Sequence, residues 1–149
     1  MFVARRMKKK IVTAAPSASL FEAQRLMREH NIRQIPVVSE DGTLLGIVSD
    51  RDIRAAVLPA GLVPGFTAGK AEKFMKNTLV ERVMTRKVVT AMLTDTLEDA
   101  IVLLHDYRVN ALPVVDAAGK VAGMITRTDA LKAFIDALGV GEVSSRLEV

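Results

Sequence analysis

With 149 residues, half of them hydrophobic and 26% charged, the chain is long enough for one domain with a buried core, and its composition excludes a wholly disordered protein. The absence of cysteine excludes disulfides, thiolate nucleophiles and cysteine metal centres, and a count of two histidines excludes a multi-histidine metal site. The net charge of +4 has a local origin, because five of the 21 basic residues lie within residues 5–10 and the other 16 nearly balance the 17 acidic residues.

The chain begins with this basic arm, and a short apolar stretch follows it at residues 11–15. These five residues are too few for the apolar region of a signal peptide, which needs roughly 7–15 residues. The longest uncharged segment, residues 55–69, is too short and too rich in proline and glycine to cross a membrane as a helix. We therefore expect a cytoplasmic protein.

The elements predicted after the arm occur in the order β segment, helix, strand, strand, helix. Ser19 and Glu22 have the spacing of a capping box at the start of the first helix, and Asn31 after it tolerates the left-handed backbone of a helix end. Gly42 marks the turn between the two strands. The five elements are assigned to residues 10–14, 20–30, 35–38, 44–48 and 50–58.

A loop at residues 59–69 and a short polar helix at residues 70–77 lead to a second copy of the same pattern. A shift of 77 residues places residues 12–53 on the second copy without a gap, with 12 identities in 42 positions. Met7 and Met84 fall in the same register. Such self-similarity indicates two copies of one structural unit.

The second copy carries the same local signals. Thr96 and Asp99 have capping-box spacing, whereas Arg108, at the position of Asn31, is less suited to left-handed backbone. Gly139 ends the closing helix. The β segment, the two strands and the closing helix are assigned to residues 87–91, 112–115, 121–125 and 127–138.

Each copy is a β-α-β-β-α unit of about sixty residues, a size that is marginally stable alone, so we expect the two copies to pack against each other. We divide the chain into two domains on this basis. Residues 1–76 contain the first copy with the basic arm and the linker, and residues 77–149 contain the second copy with a short polar tail.

The sequences of the strand hairpins carry a family resemblance. They read IPVV at residues 35–38, GIVSDRD at residues 46–52, LPVV at residues 112–115 and GMITRTD at residues 123–129. Over residues 7–138 this doubled pattern resembles a tandem pair of CBS (cystathionine-β-synthase) domains, a Bateman module. The segment around Val83-Met84-Thr85 has a weaker similarity to stand-alone acetoin-utilisation-type CBS proteins. The resemblance implies an α/β fold in which two β-α-β-β-α units pack with pseudo-two-fold symmetry.

For function, the resemblance implies a regulatory module that binds an adenosine-containing nucleotide in clefts between the two copies. AMP, ADP and ATP are the expected ligands, with S-adenosylmethionine and NAD as alternatives, and each would be a regulatory ligand, not a catalytic cofactor. The resemblance also implies a disc-like homodimer, and its signal would pass to a separate regulated protein. We therefore expect no enzymatic activity and no membrane partner.

The segments that begin the closing helices have a chemistry that suits such a ligand. Ser49 and Thr126 can cap a helix whose exposed N–H groups and positive dipole end attract phosphate. Three residues later, Asp52 and Asp129 can accept hydrogen bonds from ribose hydroxyls, and the resemblance assigns the same roles. The alternative is a purely structural cap, but its repetition in register favours a ligand site.

By resemblance, apolar residues of the opposite copy would hold the adenine. The Asp52 pocket would contain Ile47, Val89, Val109 and Asn110. The Asp129 pocket would contain Met124, Val12, Ile32 and Arg33. The alternative for the four β-branched residues at positions 12, 32, 89 and 109 is burial in the core without any ligand.

Basic residues precede each copy at equivalent positions. Lys8–Lys10 lie before Val12, and Arg86–Lys87 lie before Val89. With Arg51 and Arg127 at the helix starts, they would flank the phosphate end of the pockets, and this charge favours a di- or triphosphate. For Lys8 and Lys9 the alternative is a solvated arm. We assign Lys10, Lys87 and Arg51 to the site.

Two other functions stay open at this point. One is a structural dimerisation module with empty pockets, and the other is nucleic-acid binding through the basic arm. The second has no recognisable reading element such as a helix-turn-helix. Catalysis has the least support, because neither a nucleophile–base pair nor a metal cluster is recognisable, and we assign no catalytic and no metal-binding residue.

Overall fold

Two similar groups of helices and strands make up residues 1–139, the part of the chain that this computed structural model describes. The tail predicted after Gly139 lies outside the described residues. The first group contains α1 (Leu20–Glu29), β1 (Gln34–Val38), β2 (Leu44–Ser49), α2 (Asp50–Gly61) and α3 (Ala68–Lys76). The second group contains β3 (Ala91–Met92), α4 (Leu97–Asp106), β4 (Ala111–Val115), β5 (Val121–Thr126) and α5 (Arg127–Leu138).

Each group is built on an antiparallel hairpin, and the two hairpins have the same register. Gln34 lies opposite Ser49 in the pair of β1 and β2, and Ala111 lies opposite Thr126 in the pair of β4 and β5. β3 adds a short parallel strand beside β4. The four strands predicted for the hairpins are confirmed, each extended by one residue at one end.

The predicted β segments at residues 10–14 and 87–91 are shorter than expected. In the first copy only Ala14 pairs, its N–H donating to the Pro36 carbonyl and its own carbonyl accepting from Val38, at 3.1 and 2.9 Å. The chain then turns away at Pro16, which has no N–H to continue a ladder. In the second copy the strand is confined to β3.

The helix starts follow the predicted capping residues. The hydroxyl of Ser19 accepts from the Glu22 N–H at 3.1 Å, and Thr96 and Asp99 form a reciprocal capping box. At the helix ends the left-handed conformation occurs at Asn31, with φ 50°, and equally at Arg108, with φ 54°. The equivalent turn therefore imposes the same left-handed backbone on both side chains, although arginine suits this conformation less than asparagine. Gly139 ends α5 with φ 64°, as predicted.

α2 is longer than the sequence pattern indicates. It continues through Pro59 to Gly61, so the predicted loop starts three residues too early. Proline lacks an N–H and therefore removes one backbone hydrogen bond of the helix. Pro59 lies in the last turn of α2, so the loss of this bond does not end the helix there. The Leu62 N–H donates to the Pro59 carbonyl at 3.3 Å. α3 begins two residues before the prediction, where the Thr67 hydroxyl caps it.

The buried side chains form two hydrophobic clusters, one in each group. Leu20, Ile35 and Val48 are fully buried in the first cluster, and Leu112 and Ile125 are fully buried in the second. Burial of this apolar area, at roughly 25 cal/mol per Å², is the main contribution to the stability of each half.

Each cluster is completed by a segment that precedes the other copy in the sequence. Val3, in a 3₁₀ turn at Val3–Arg5, is fully buried in the second cluster, and Val80, in the equivalent turn at Val80–Arg82, is fully buried in the first. The Val3 N–H donates to Asp95 at 2.9 Å, and the Val80 N–H donates to Ala18 at 2.8 Å. Neither core is therefore complete without a segment from outside its own copy.

The two hairpin turns join the copies. The Leu44 N–H donates to the Gly119 carbonyl, and the Val121 N–H donates to the Gly42 carbonyl, both at 3.1 Å. Gly42 and Gly119 have φ values of 86° and 79°, which glycine adopts without strain. The reciprocal bonds relate the copies by an approximate two-fold axis. Within the described part of the chain, the helices are all too short or too polar to span a membrane.

Candidate functional site

The first candidate site is the turn from β2 into α2. The Ser49 hydroxyl accepts from the Asp52 N–H at 3.1 Å, and Oδ2 of Asp52 accepts from the Ser49 N–H at 2.9 Å. This capping box fixes the Asp52 carboxylate at the positive end of the helix dipole. Its other oxygen, Oδ1, accepts no hydrogen bond from residues 1–139 and is available to a ligand.

The second candidate site repeats this turn between β5 and α5. Oδ2 of Asp129 accepts from the Thr126 N–H at 3.0 Å and from the Thr126 hydroxyl at 2.8 Å, and that hydroxyl accepts from the Asp129 N–H at 3.1 Å. Oδ1 of Asp129 is again free of hydrogen bonds from the described chain, but it has an ionic neighbour. Nζ of Lys8 lies 3.7 Å away from it.

Both turns lie beside a segment that enters from the other copy. Backbone bonds of 2.9 Å in each direction join Thr85 to Ile47, and bonds of 2.8 and 3.0 Å join Lys8 to Met124. Gly46 and Gly123 permit this approach. A Cβ atom on Gly46 would lie 2.6 Å from Sδ of Met84, and one on Gly123 would lie 2.7 Å from the Lys8 carbonyl.

These contacts are the feature that sequence reasoning missed. In the sequence, the only indication of these contacts is that Met7 and Met84 fall in the same register. This register shows that equivalent segments precede the two copies, but it does not show which copy each segment contacts. The structure shows that the basic segment at residues 8–10 starts beside Asp129, and the segment at residues 85–87 starts beside Ile47 of the first site.

The structure places four of the residues predicted for opposite-copy pockets beside helix starts or cores of their own copies, and their contact with a ligand stays a prediction. The carbonyl of Arg33 accepts from the Asp50 N–H at 3.0 Å, which places Arg33 at the start of α2 in its own copy. The carbonyl of Asn110 likewise accepts from the Arg127 N–H at 2.9 Å. Their neighbours Ile32 and Val109 pack on the cores of those same copies. These positions follow because the strand after α1 or α4 pairs within its own hairpin.

The remaining predicted residues lie in the segments that join the copies or in the hairpins. Val12 packs against the first cluster and Val89 against the second, and both are half-buried. Met124 is buried and Ile47 is half-buried. The side chains of Lys10, Lys87 and Arg51 are exposed.

Arg127 does not extend toward a ligand as the sequence suggests. Its Nε donates to the Val109 carbonyl at 2.9 Å and its Nη2 to the Leu104 carbonyl at 3.5 Å, so the guanidinium is held against its own copy. At the equivalent position Asp50 forms an ion pair with Arg54 at 3.3 Å. The two helix starts therefore differ in charge although their capping geometry is the same.

Two cavities are present elsewhere in the first copy. One, of about 380 Å³, lies between α2 and the segment leading to α3 and is lined by apolar side chains that include Val57 and Phe66. The other, of about 230 Å³, lies between α1 and α2 and includes Arg28 and Asp50. Neither is lined by Ser49, Asp52, Thr126 or Asp129, all four of which are half-buried.

A comparison with known proteins assigns the family. The CBS domain model matches residues 3–59 and residues 80–136. The chain belongs to the CBS domain family. Each matched range begins at the 3₁₀ turn that holds Val3 or Val80, so the family unit in the sequence includes the segment that packs on the other copy.

Some relatives are about as long as this chain, and others are much longer. An uncharacterized protein of Methanocaldococcus jannaschii, MJ1426, is 37% identical over 149 residues, covering 87% of this chain and 88% of its own. Inosine-5'-monophosphate dehydrogenase of Halalkalibacterium halodurans is 32% identical over 115 residues, which are 76% of this chain but 20% of the enzyme. The resemblance to that enzyme is therefore confined to a small part of its length.

Solved CBS-pair structures confirm the tandem fold. The CBS domain pair of protein MJ0100, in complex with 5′-methylthioadenosine and S-adenosyl-L-methionine, has a TM-score of 0.75 and 28% identity and covers 92% of this chain and 98% of its own. CBSX2 in complex with AMP has a TM-score of 0.75 and 29% identity, with the same coverage. CBSX2 comes from Arabidopsis thaliana.

Proposed function

We propose that the protein binds adenosine-containing ligands at the starts of α2 and α5 and acts as a regulatory module. The observation that carries this proposal is the repeated turn in which a capping box fixes an aspartate while leaving its Oδ1 available. The same turn occurs in both copies at equivalent positions, with Asp52 in one and Asp129 in the other.

The chemistry of the turns matches the two polar parts of an adenosine nucleotide. An ionised carboxylate accepts hydrogen bonds without donating any, so Oδ1 of Asp52 or Asp129 suits a ribose hydroxyl. The N-terminus of a 12-residue helix suits phosphate through its dipole and unpaired N–H groups, and the exposed cations Arg51, Lys10 and Lys87 supply further attraction.

The comparisons support the ligand class. Two CBS pairs with TM-scores of 0.75 to this chain bind adenosine compounds, AMP in one case and 5′-methylthioadenosine with S-adenosyl-L-methionine in the other. For this chain we propose AMP, ADP or ATP, with S-adenosylmethionine as the alternative. Signalling to a separate protein is the output we propose for a module without chemistry of its own.

Titration calorimetry with AMP, ADP, ATP and S-adenosylmethionine tests the proposal on the wild-type chain and on Asp52→Ala and Asp129→Ala. We expect each substitution to remove one class of binding site, because a charge-assisted hydrogen bond contributes roughly 1.5–3 kcal/mol, equivalent to about a tenfold to hundredfold change in affinity.

The chain supplies a matched control in the capping box of α4. Asp99→Ala removes the same reciprocal cap from a helix start outside both candidate sites. It should leave ligand affinity unchanged. Equal losses in Asp99→Ala and Asp52→Ala would show that capping alone is measured, and the absence of any binding to the wild-type chain would contradict the proposed function.

We also propose a homodimer, for which α5 provides a specific observation. Leu131, Phe134, Ile135 and Leu138 form a stripe at helical spacing and are 60%, 49%, 41% and 60% exposed. Leu58 on α2, the counterpart of Ile135, is 66% exposed. The exposed apolar stripe on α5 suits a second copy of the chain.

Light scattering after size-exclusion chromatography tests this assembly. The wild-type chain should have twice the mass of one chain, and Phe134→Lys should shift it to the single mass. Val102→Lys is the control, because Val102 is 54% exposed on α4, outside the stripe. A wild-type chain of single mass at micromolar concentration would contradict the homodimer.

A further inference from the structure

The two candidate sites differ at the residue that lies closest to the available carboxylate oxygen. In the second site this residue is Lys8, whose Nζ is 3.7 Å from Oδ1 of Asp129. In the first site the equivalent residue is Thr85, which carries no charge. Both residues are anchored by backbone bonds to the neighbouring strand, so the difference lies in the side chain alone.

The Lys8 ammonium lies on the side of the available oxygen of Asp129, 3.7 Å from it. The side chain of Asp129 is 19% exposed and that of Lys8 is 63% exposed, so the carboxylate is fixed while the ammonium is at the surface and can turn. A ligand that binds Oδ1 of Asp129 therefore competes with Lys8 for this oxygen. A phosphate beside the carboxylate would give the displaced ammonium a new anionic partner.

The charges at the helix starts act in the same direction. The first turn of α2 contains two carboxylates and one cation, Asp50, Asp52 and Arg51, whereas that of α5 contains one of each, Asp129 and Arg127. A second carboxylate repels an anionic ligand, and an additional lysine attracts it. The Asp129 site is therefore the more favourable of the two for a phosphate group.

We propose that Lys8 makes the Asp129 site selective for phosphorylated adenosine ligands, whereas the Asp52 site accepts adenosine ligands without phosphate at least as well. This inference rests on the proposed function, since it concerns the same two sites. A ligand with phosphate gives the displaced ammonium a new anionic partner. A ligand without phosphate breaks the ion pair of Lys8 and Asp129 and provides no replacement.

The test compares ADP with 5′-methylthioadenosine in variants that retain one site. The second ligand has the same adenine and the same ribose 2′- and 3′-hydroxyls, and a methylthio group replaces the 5′-diphosphate. In the Asp52→Ala background only the Asp129 site remains, and Lys8→Thr gives it the residue of the first site. We expect the ratio of ADP affinity to 5′-methylthioadenosine affinity to fall by about tenfold, because a charged hydrogen bond to phosphate is lost and a competing ion pair is removed.

The reciprocal change tests the first site in the Asp129→Ala background. Thr85→Lys should raise the same ratio there, since it places an ammonium beside Asp52. Arg5→Thr is the charge control, because Arg5 is an exposed residue of the same arm, has no ion pair within residues 1–139 and lies outside both sites. Thermal unfolding without ligand checks that each variant is folded.

The outcomes separate this inference from the function on which it rests. Binding of both ligands with a ratio that Lys8→Thr leaves unchanged would overturn the selectivity while the proposed function stands. An equal fall in Arg5→Thr would also overturn it, since the net charge of the arm would then explain the preference. If neither ligand binds the wild-type chain, both proposals are wrong.

Discussion

The two copies share the geometry that builds a site and differ in the charges that surround it. The capping boxes at Asp52 and Asp129 have nearly the same distances, and Gly46 and Gly123 admit the neighbouring segment in the same way. Lys8, in contrast, faces Asp129 from the position that Thr85 occupies beside the first site. The features that both copies share are therefore those that the fold requires. The residues that differ between the copies are those that we propose distinguish the ligands of the two sites.

A second difference between the copies lies after the closing helix. α2 leads into α3, which packs against α1 and α2, and α3 has no counterpart within the described part of the second copy. The linker continues from α3 to Val80, which enters the first core. The second core receives Val3 from the N-terminal arm instead. The arm is therefore part of the second hydrophobic core, although its basic composition suggests a solvated segment.

The largest expected effect tests this exchange of segments. Val3→Ala should destabilise the protein by about 2–3 kcal/mol, because it removes two buried methyl groups and leaves a cavity in the second core. Val80→Ala should have a similar effect through the first core. Chemical denaturation measures both, and native-state hydrogen exchange should show increased opening of α4 and α5 for Val3→Ala, and of α1 and α2 for Val80→Ala.

The control for both variants is Val102→Ala, which makes the same change at a position that is 54% exposed. Its effect should be within about 0.5 kcal/mol. If Val3→Ala opened the first copy instead, the exchange of segments would be wrong.

The next effect tests the close approach at the glycines. Gly123→Ala places a Cβ 2.7 Å from the Lys8 carbonyl and should cost about 1–3 kcal/mol, since backbone must move. Gly46→Ala should behave similarly, because its Cβ would lie 2.9 Å from the Thr85 carbonyl. Thermal unfolding gives the comparison. Gly69→Ala in α3, where the nearest atom is 3.8 Å away, should instead be neutral or stabilising by up to about 1 kcal/mol.

A smaller effect separates capping from binding. Thr126→Ala and Thr96→Ala each remove an N-cap hydroxyl and should each cost about 1 kcal/mol in the free energy of unfolding. Only Thr126→Ala should also weaken nucleotide binding, since Thr96 lies at the start of α4, outside the sites. Calorimetry on the two variants makes this comparison, and equal affinities in both would remove Thr126 from the binding site.

The smallest effect concerns the hairpin turns, where Asp41 of the first copy corresponds to Ala118 of the second. Hydrogen bonds from Ser39 and Thr43 lower the pKa of Asp41 from 3.8 to about 2. Because the folded pKa is depressed, the resulting stability is present above the unfolded value and is lost as pH falls from about 4 through 2. Carboxyl NMR titration measures this directly, and an Asp41 midpoint near 3.8 would contradict these bonds.

The sequence predicts the local elements well because their signals are local. Ser19, Thr96 and Gly139 mark helix boundaries through hydrogen bonds or backbone conformation that involve only nearby residues. The prediction that α2 ends before Pro59 is wrong for a local reason as well. A proline near a helix end removes one backbone hydrogen bond, but the helix can continue for another turn.

The arrangement of the sites is less predictable because it depends on contacts between distant residues. Ser49, Asp52 and their counterparts follow from spacing, but no local pattern shows that Lys8 lies beside Asp129 at the far end of the sequence. The same limit applies to Arg33 and Asn110, whose backbone partners at the helix starts are set by strand pairing. The alignment of the two copies shows which residues occupy equivalent positions. Only the folded structure shows which segment contacts which copy.

A crystal structure of the protein with ADP tests the central claim most directly, by locating the ribose relative to the two carboxylates. We predict ribose hydroxyl oxygens within about 3 Å of Oδ1 of Asp129, with the Lys8 ammonium turned from that carboxylate toward phosphate. Nucleotide bound in the cavity between α2 and the segment leading to α3, or elsewhere with both carboxylates uncontacted, would contradict this prediction.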